Sequence, residues 1–394
     1  MKRRTAERPL VLAIVANVKQ YRIAFYTQLA QRLSRSGIDL RVAYSEPHGE
    51  EALKADSAEL PAALGMKVKR WYLLGGRVLV QRVPLAQLRR ADLIIMVQSN
   101  GYLLDYPLLL ASRLGLKQVA YWGHGYNHQA HTGQMGERFR RRLIGLTDWW
   151  FAYTQRTADY LTRNGVSSDR ITVINNAVDT TGFATQVAAV TPEEVRVLRS
   201  QLALPQGARI GLYCGSLYGH KHMPFLLEAC AQIRARIPDF FLAVAGAGPG
   251  AQLLRDASGR LPWLRYLGAQ FGHTKAVLFR SAEVFLNPGL VGLAILDSFA
   301  AGLPLITTDL PIHSPEIAYL ESGVNGLMAP YAADPWARAV TALLQDGSRL
   351  TAMGRSAIAT SRKYTLEKMA ENVAQGIERC LGVVPNARPA DAAK

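Results

Sequence analysis

The chain alternates short, almost wholly apolar runs with longer stretches in which apolar residues return every three or four positions. "PLVLAIVAN" (9–17) is continuously apolar, the pattern of a strand covered on both faces. "YRIAFYTQLAQRL" (21–33) follows, with Tyr26, Leu29, Ala30 and Leu33 at helical spacing. "IDLRVAYS" (38–45), "ADLIIMVQ" (91–98), "KQVAYWG" (117–123), "TDWWFAYT" (147–154) and "ITVINN" (171–176) read as further strands, and "YPLLLASRLG" (106–115) as a helix stopped by glycine. The second half restarts the pattern. "ARIGLYCG" (208–215) is a strand and "MPFLLEACAQIRARI" (223–237) a helix. "FFLAVAGAG" (240–248), "WLRYLGA" (263–269), "AEVFLNPG" (282–289) and "LPLITT" (303–308) are short strands with helices between them.

Repeated βαβ alternation predicts an α/β fold: two Rossmann-like, doubly wound domains facing a cleft. The break falls near "NNAVDTTGFATQVAAVTPEE" (175–194). This gives a first domain over 1–180, a second over 181–365, a helix over 366–382 placed to cross back to the first, and a flexible tail over 383–394. Ligands of such sheets bind beyond the carboxyl ends of the strands, so the loops that follow strands are where chemistry is expected.

Charge changes this picture more than composition does. The net charge is +16, and residues 1–185 hold 26 Lys+Arg against 14 Asp+Glu, while the remainder holds 20 against 16. A basic first half suits an anionic partner, or is a general solubility charge. Cys214, Cys230 and Cys380 are scattered and predict neither a disulfide framework nor a zinc site. The opening "MKRRTAERPLVLAIVANVKQ" resembles a secretion signal, but Asn17, Lys19 and Gln20 cut its apolar core short, and a first buried strand fits better. No run reaches the length of a bilayer span. The expected location is cytoplasmic, with docking on the inner face of the plasma membrane left open.

Several loops carry candidate chemistry. Gly246, Gly248 and Ala251 fit G-x-G-x-x-A, a dinucleotide-binding pattern. The following strand offers no acid for a ribose, so a tight turn after a buried strand is favoured. In "YCGSLYGHKHMPF", Gly215 follows a strand and Lys221 lies at a helix start, where it meets an anion or is simply solvated. In "NPGLVGLAILDSFAAGLPLITT" (287–308), the amides of Gly292 and Leu293 open a helix that carries Asp297. Asp297 is placed to reach ribose hydroxyls, or serves as a helix-dipole partner.

In "YWGHGYNHQAH", His124 follows a strand between Gly123 and Gly125, which let it face a ligand, or it is a satisfied structural histidine. His124, His128 and His131 lack the neighbouring cysteines or acids a metal centre needs, so no metal is expected. "ERFRRRLIGL" (137–146) sets Phe139, Leu143 and Leu146 on an apolar stripe flanked by Arg138, Arg141 and Arg142. It reads either as an amphipathic helix on an anionic membrane or as a core-facing helix with a solvated basic side. Nucleic acid is disfavoured, because these arginines are not interleaved with stacking aromatics.

Taken together, these motifs resemble the retaining glycosyltransferases of family 4, which have the GT-B fold. The resemblance is clearest over 205–330. Gly215, Ser216 and Lys221 match the family's Gly-Arg-x-x-x-x-Lys, with serine in place of arginine. "LDSFAAGLP" matches the Glu-Ala-Met-Ala-x-Gly-x-Pro-like run that ends its Glu-x7-Glu element, with Asp297 at the second acid and Gly289 at the first. "PEIAYLESGVNGLM" and "INNAVDTTGF" match its acidic-loop and interdomain runs. "YRIAFYTQLAQRL", with Arg22, resembles the opening helix of members that build bacterial polysaccharides.

The resemblance implies a sugar transferred from a nucleoside diphosphate donor to a hydroxyl with retained configuration. The implied acceptor is a lipid-linked glycan held by the first domain, with Arg22, Arg138, Arg141 and Arg142 on that side. It implies donor binding by Gly215, Ser216, Lys221, Gly289, Gly292, Leu293 and Asp297, with Lys221 and His124 as catalytic groups. Lys221 would offset diphosphate charge, Asp297 would hold ribose, and His124 would touch the donor sugar; no metal or other cofactor is implied. The missing acid at Gly289 leaves the sugar hydroxyls to backbone amides of "NPGLVG". The absent acid and arginine also keep open a non-catalytic nucleotide-binding protein, and a sugar-nucleotide epimerase shares the fold.

Overall fold

The computed structural model describes residues 8–48, 56–75, 78–99, 101–125, 138 and 141–383. The chain forms two compact units, one comprising Met1–Asn175 with Glu367–Lys394 and the other Asn176–Leu366. Both are parallel α/β sheets.

Among the described residues the first unit carries nine strands: β1 (Leu10–Ile14), β2 (Asp39–Tyr44), β3 (Gly65–Lys67), β4 (Arg70–Leu73), β5 (Val78–Gln81), β6 (Leu93–Val97), β7 (Gln118–Gly123), β8 (Trp149–Ala152) and β9 (Ile171–Val173). Seven of them form one sheet in the order β3-β2-β1-β6-β7-β8-β9. Every residue of β1 is buried, as its unbroken apolar run requires, and it pairs in parallel with β2 on one side and β6 on the other. The helix Ile23–Arg35 covers the sheet with Phe25, Tyr26, Leu29 and Leu33. The pair β4 and β5 is an antiparallel hairpin that sequence reading missed. Its strands are short and half exposed, so no continuous apolar run announces them.

The C-terminal helix Leu366–Leu381 packs on this first unit. Arg32 pairs with Glu371, and Ser36 donates to Glu378. Gly376 lies so close to the sheet that a β-carbon there would stand 2.7 Å from the Phe151 ring.

The second unit carries β10 (Arg209–Cys214), β11 (Phe240–Ala245), β12 (Leu264–Tyr266), β13 (Val284–Leu286), β14 (Leu305–Thr308) and β15 (Gly326–Ala329), in the order β12-β11-β10-β13-β14-β15. Leu226, Ile233, Phe240, Leu242, Leu254, Val284 and Trp336 are at the heart of its core. The two units part between Asn175 and Asn176, inside the segment read as the domain break, and the second unit then begins with two helices, Thr180–Ala189 and Pro192–Gln201. Their caps are visible in the sequence: Asp179 accepts from the Gly182 amide, and Thr191 forms a capping box with Glu194 ahead of a first-turn proline.

In each sheet the winding direction reverses once, between β1 and β6 and between β10 and β13. At such a point the loops leaving two adjacent strands diverge to opposite faces and leave a crevice for a ligand.

Candidate functional site

In the second unit, the loops leaving β10 and β13 meet at the switch point. The β10 loop passes Gly215 and Ser216 and makes a 3-10 turn over Gly219–Lys221. It then enters the helix Met223–Arg236 through His222, which holds a left-handed conformation at φ 54°. The β13 loop runs from Asn287 to Leu293 and enters the short helix Ala294–Ala300.

The two loops are locked together. The Leu290 amide donates to the His220 carbonyl at 2.8 Å, and the Lys221 ammonium donates to the Leu290 carbonyl. Gly289 is where they touch. A β-carbon on it would stand 2.6 Å from Lys221 Cα and closer still to the His220 carbonyl oxygen. The place where the motif's first acid would begin is filled by the backbone of the lysine loop. The expectation that amides of this whole loop stand in for that acid needs correction. The Leu290 amide is engaged as described, and the Val291 amide donates to His313 Nδ1 at 3.1 Å. The buried amide of Gly289 and the half-buried amides of Gly292 and Leu293 have no acceptor among the described residues.

Lys221 is 8 % exposed, and no carboxylate pairs with it among the described residues. Burial pulls its ammonium down to about 8. An unpaired buried cation beside free amides is an electropositive pocket suited to an anion. Asp297 lies on the same helix as those amides, but it is not free. Its Oδ2 sits 2.8 Å from the ammonium of Lys275, on the helix Gly272–Ser281. Sequence reading missed Lys275. Its helix also carries His273 and Arg280, so nothing local singles it out. His313 was missed as well; besides accepting from Val291, it donates through Nε2 to the Thr308 carbonyl at 2.7 Å and so ties the β13 loop to β14.

The glycine-rich turn after β11 is structural. A β-carbon on Gly246 would overlap the Gly215 carbonyl, and Gly250 donates to the Leu217 carbonyl at 2.8 Å. These glycines let the β11 turn lie against the β10 loop, which is why the dinucleotide pattern occurs without its acidic partner.

In the first unit, a cavity of about 200 Å³ opens at the carboxyl ends of β1, β6 and β7 and beyond β8. Lys19, Arg22, Tyr26, Tyr102, Trp122 and Tyr153 line it. The Arg22 guanidinium contacts Met369 of the C-terminal helix and lies over the Tyr21 and Phe25 rings. His124 follows β7, with its ring 4.6 Å from that of Tyr153. Burial pulls its imidazole down to about 4, so it is neutral near pH 7. Gly125, at φ +72°, makes the turn that follows.

His128 and His131 lie outside the described residues, as does Phe139. Arg138, Arg141 and Arg142 are exposed. Leu143 and Leu146, the described residues of the apolar stripe, pack on the core of the first unit.

Two family models match this chain. Residues 25–181 match Glycosyltransferase Family 4, and residues 208–346 match Glycosyl transferases group 1. The chain belongs to glycosyltransferase family 4.

The fold agrees. The structure of Anabaena HepE in complex with UDP superposes with a TM-score of 0.68 at 16% identity, over 94% of this chain and 99% of that one. This is the two-domain GT-B architecture. Among curated relatives, D-inositol 3-phosphate glycosyltransferase of Corynebacterium aurimucosum is 24% identical over 223 residues, 54% of this chain and 52% of that protein. Phosphatidyl-myo-inositol mannosyltransferase of Mycolicibacterium smegmatis is 31% identical over 148 residues, 36% of this chain and 38% of that protein. The chain spans only about half the length of the first of these relatives and less of the second. As a family-4 glycosyltransferase it departs from the motif at two places, Ser216 and Gly289, both on the interlocked loops.

Proposed function

We propose that this family-4 glycosyltransferase moves a sugar from a nucleoside diphosphate donor to a hydroxyl with retention of anomeric configuration. The observation that carries the reading is Lys221, a buried ammonium with no carboxylate partner among the described residues, on the loop locked to the one that carries the open amides of Gly292 and Leu293. A departing diphosphate needs that arrangement: fixed positive charge and preorganised donors, in place before the bond breaks. The name of the HepE structure, in complex with UDP, supports a nucleotide of this class. Gly215 and Ser216 flank the same loop, and Asp297 is assigned to the ribose. His124, neutral, is assigned to the donor sugar, where it can donate or accept a hydrogen bond without adding charge.

The acceptor is assigned to the first unit. Its cavity combines Arg22, and Lys19 paired with Asp56, with five aromatic side chains, which suits a sugar stacked on rings and an anionic group held by a cation. A growing glycan on a lipid diphosphate has both features. Exposed Arg138, Arg141 and Arg142, together with Arg22, supply the basic side for an acidic cytoplasmic membrane face. No metal is needed in this reading, because Lys221 and the amides supply the charge that a divalent ion would.

The test is a thermal-shift series with UDP, GDP and ADP, followed by turnover of the matching sugar nucleotide and NMR of the product's anomeric coupling. Stabilisation by one nucleotide that disappears in Lys221→Met supports the site. No shift with any of the three, or an inverted product, overturns the reading. EDTA should leave the rate unchanged. Flotation with anionic but not neutral vesicles tests the membrane assignment.

A further inference from the structure

Lys275 has no place in the motif that carries Asp297, yet it pairs with that acid at the position assigned to the nucleotide's ribose. Asp297 projects from the first turn of the helix that follows the free amides. Its neighbour Lys275 comes from a different helix, and the two side chains are only 23% and 20% exposed. The Lys275 ammonium is fixed from behind: it lies 4.6 Å from the centre of the Phe183 ring and 5.6 Å from that of Phe279. These rings pack edge to face against each other, and Phe279 stacks on Phe285 of β13. The cation therefore cannot swing away without leaving two aromatic faces and its counter-ion. Although burial opposes the charge, Asp297 and its hydrogen bond, with Cys214 nearby, hold the Lys275 ammonium above its ordinary range.

The pair divides the carboxylate's work. Asp297 Oδ2 is held by Lys275, while Oδ1 has no partner among the described residues. An aspartate is also one methylene shorter than the glutamate common at this motif position, so it reaches less far and gains more from being aimed. A carboxylate on a helix's first turn otherwise tends to fold back onto the helix's own amides, here the amides assigned to phosphate.

We propose that Lys275 is a positioning residue for ribose recognition: it fixes Asp297 so that the free carboxylate oxygen accepts from a ribose hydroxyl and the amides of Gly292 and Leu293 stay open to the diphosphate. This rests on the nucleotide reading above. The predicted ligand selectivity is for ribo- over deoxyribonucleoside diphosphates, set by the pair and not by Asp297 alone.

The experiment is calorimetric titration of the full chain with UDP, GDP and ADP and with their 2′-deoxy and 2′,3′-dideoxy forms. Wild type is compared with Lys275→Met, Lys275→Arg and Asp297→Asn, each first checked for a cooperative melt. For the nucleotide that binds wild type best, Lys275→Met should weaken the ribo form roughly tenfold more than the dideoxy form, the scale of one charge-assisted hydrogen bond. Lys275→Arg should restore most of the difference. Asp297→Asn should abolish the ribo preference.

If Asp297→Asn loses the preference but Lys275→Met keeps it, Lys275 is only structural and the proposal fails while the nucleotide reading stands. Equal weakening of ribo and dideoxy forms by Lys275→Met also overturns it. If wild type itself shows no ribo preference, the assignment of Asp297 to ribose fails. Should Lys275→Met not fold, Lys275→Gln, which keeps a donor but not the charge, replaces it with the same expected outcomes.

Discussion

Gly289 and Lys221 are in backbone contact: a single added β-carbon on the glycine would come within 2.6 Å of the lysine's Cα. The absent motif acid and the present motif lysine are thus two sides of one packing arrangement. Restoring the acid should not restore a family-like site; it should push the lysine loop away. Gly289→Ala is expected to cost about 1–3 kcal/mol by overpacking. At roughly 2–4 °C per kcal/mol for a unit of this size, thermal melts should resolve it easily. Gly289→Glu should be at least as destabilised and should bind nucleoside diphosphate more weakly than wild type. Tighter binding by that variant would show that the loop can open and that the packing argument is wrong.

Lys221 gives a pH signature with two opposite signs. Its folded value lies near 8, below the ordinary lysine value of 10.5. The unfolded chain therefore binds more protons between about pH 8 and 10.5, and this group makes the ligand-free protein more stable as pH rises through that window, by at most roughly 1.4 kcal/mol per pH unit. Diphosphate binding should move the other way and weaken above pH 8 as the ammonium is lost. Lys221→Met removes both effects. It leaves the Leu290 carbonyl with the Asn287 side-chain amide at 3.3 Å, so the variant should melt no lower than wild type while losing nucleotide affinity. Melts and titrations from pH 7 to 10 on both proteins check this directly.

His124 titrates below its ordinary value because burial disfavours the imidazolium, with a folded value near 4 against 6.5. The unfolded state takes up its proton first as pH falls, so stability is lost between about pH 6.5 and 4 and is unaffected above that window. His124→Gln should flatten this part of the profile. In turnover, the same substitution should lower kcat more than it raises KM. A wild-type rate that falls with an apparent value near 6.5 owing to this histidine would contradict the buried, neutral imidazole.

The sheets were legible because buried parallel strands such as β1, β6 and β11 are unbroken apolar runs. The half-exposed hairpin of β4 and β5 was not, since its side chains alternate between solvent and protein. The helices Thr180–Ala189 and Pro192–Gln201 were passed over although Asp179 and the Thr191–Glu194 box cap them, because the segment was read only as the place where the domains part. Lys221, Gly292, Leu293 and Asp297 could be placed from the chain because each follows a strand or opens a helix. Lys275 and His313 could not. Each acts through a neighbour far along the chain, and only the folded sheet brings Lys275 to Asp297 and His313 to Val291.

His313 gives the last test, because it holds the amide loop without lying in the lysine pocket. Its imidazole is buried and bridges two backbone groups, accepting from Val291 N–H and donating to the Thr308 carbonyl. The same loop is held by the Thr308 hydroxyl on the Pro288 carbonyl and by the Ser314 amide on the Val291 carbonyl. In His313→Ala the Val291 amide and the Thr308 carbonyl both lose their partner in a buried place, at about 1–3 kcal/mol for each unsatisfied group. Partial solvation of the vacated space should moderate the total. The loop would also gain freedom, so ordering the amides of Gly292 and Leu293 around a diphosphate becomes part of the binding free energy. The expected outcome is a lowered melting temperature together with weaker nucleoside diphosphate binding that added nucleotide only partly offsets. His313→Ala that melts lower yet binds nucleotide as tightly as wild type would mean that the loop's amides take no part in holding the ligand.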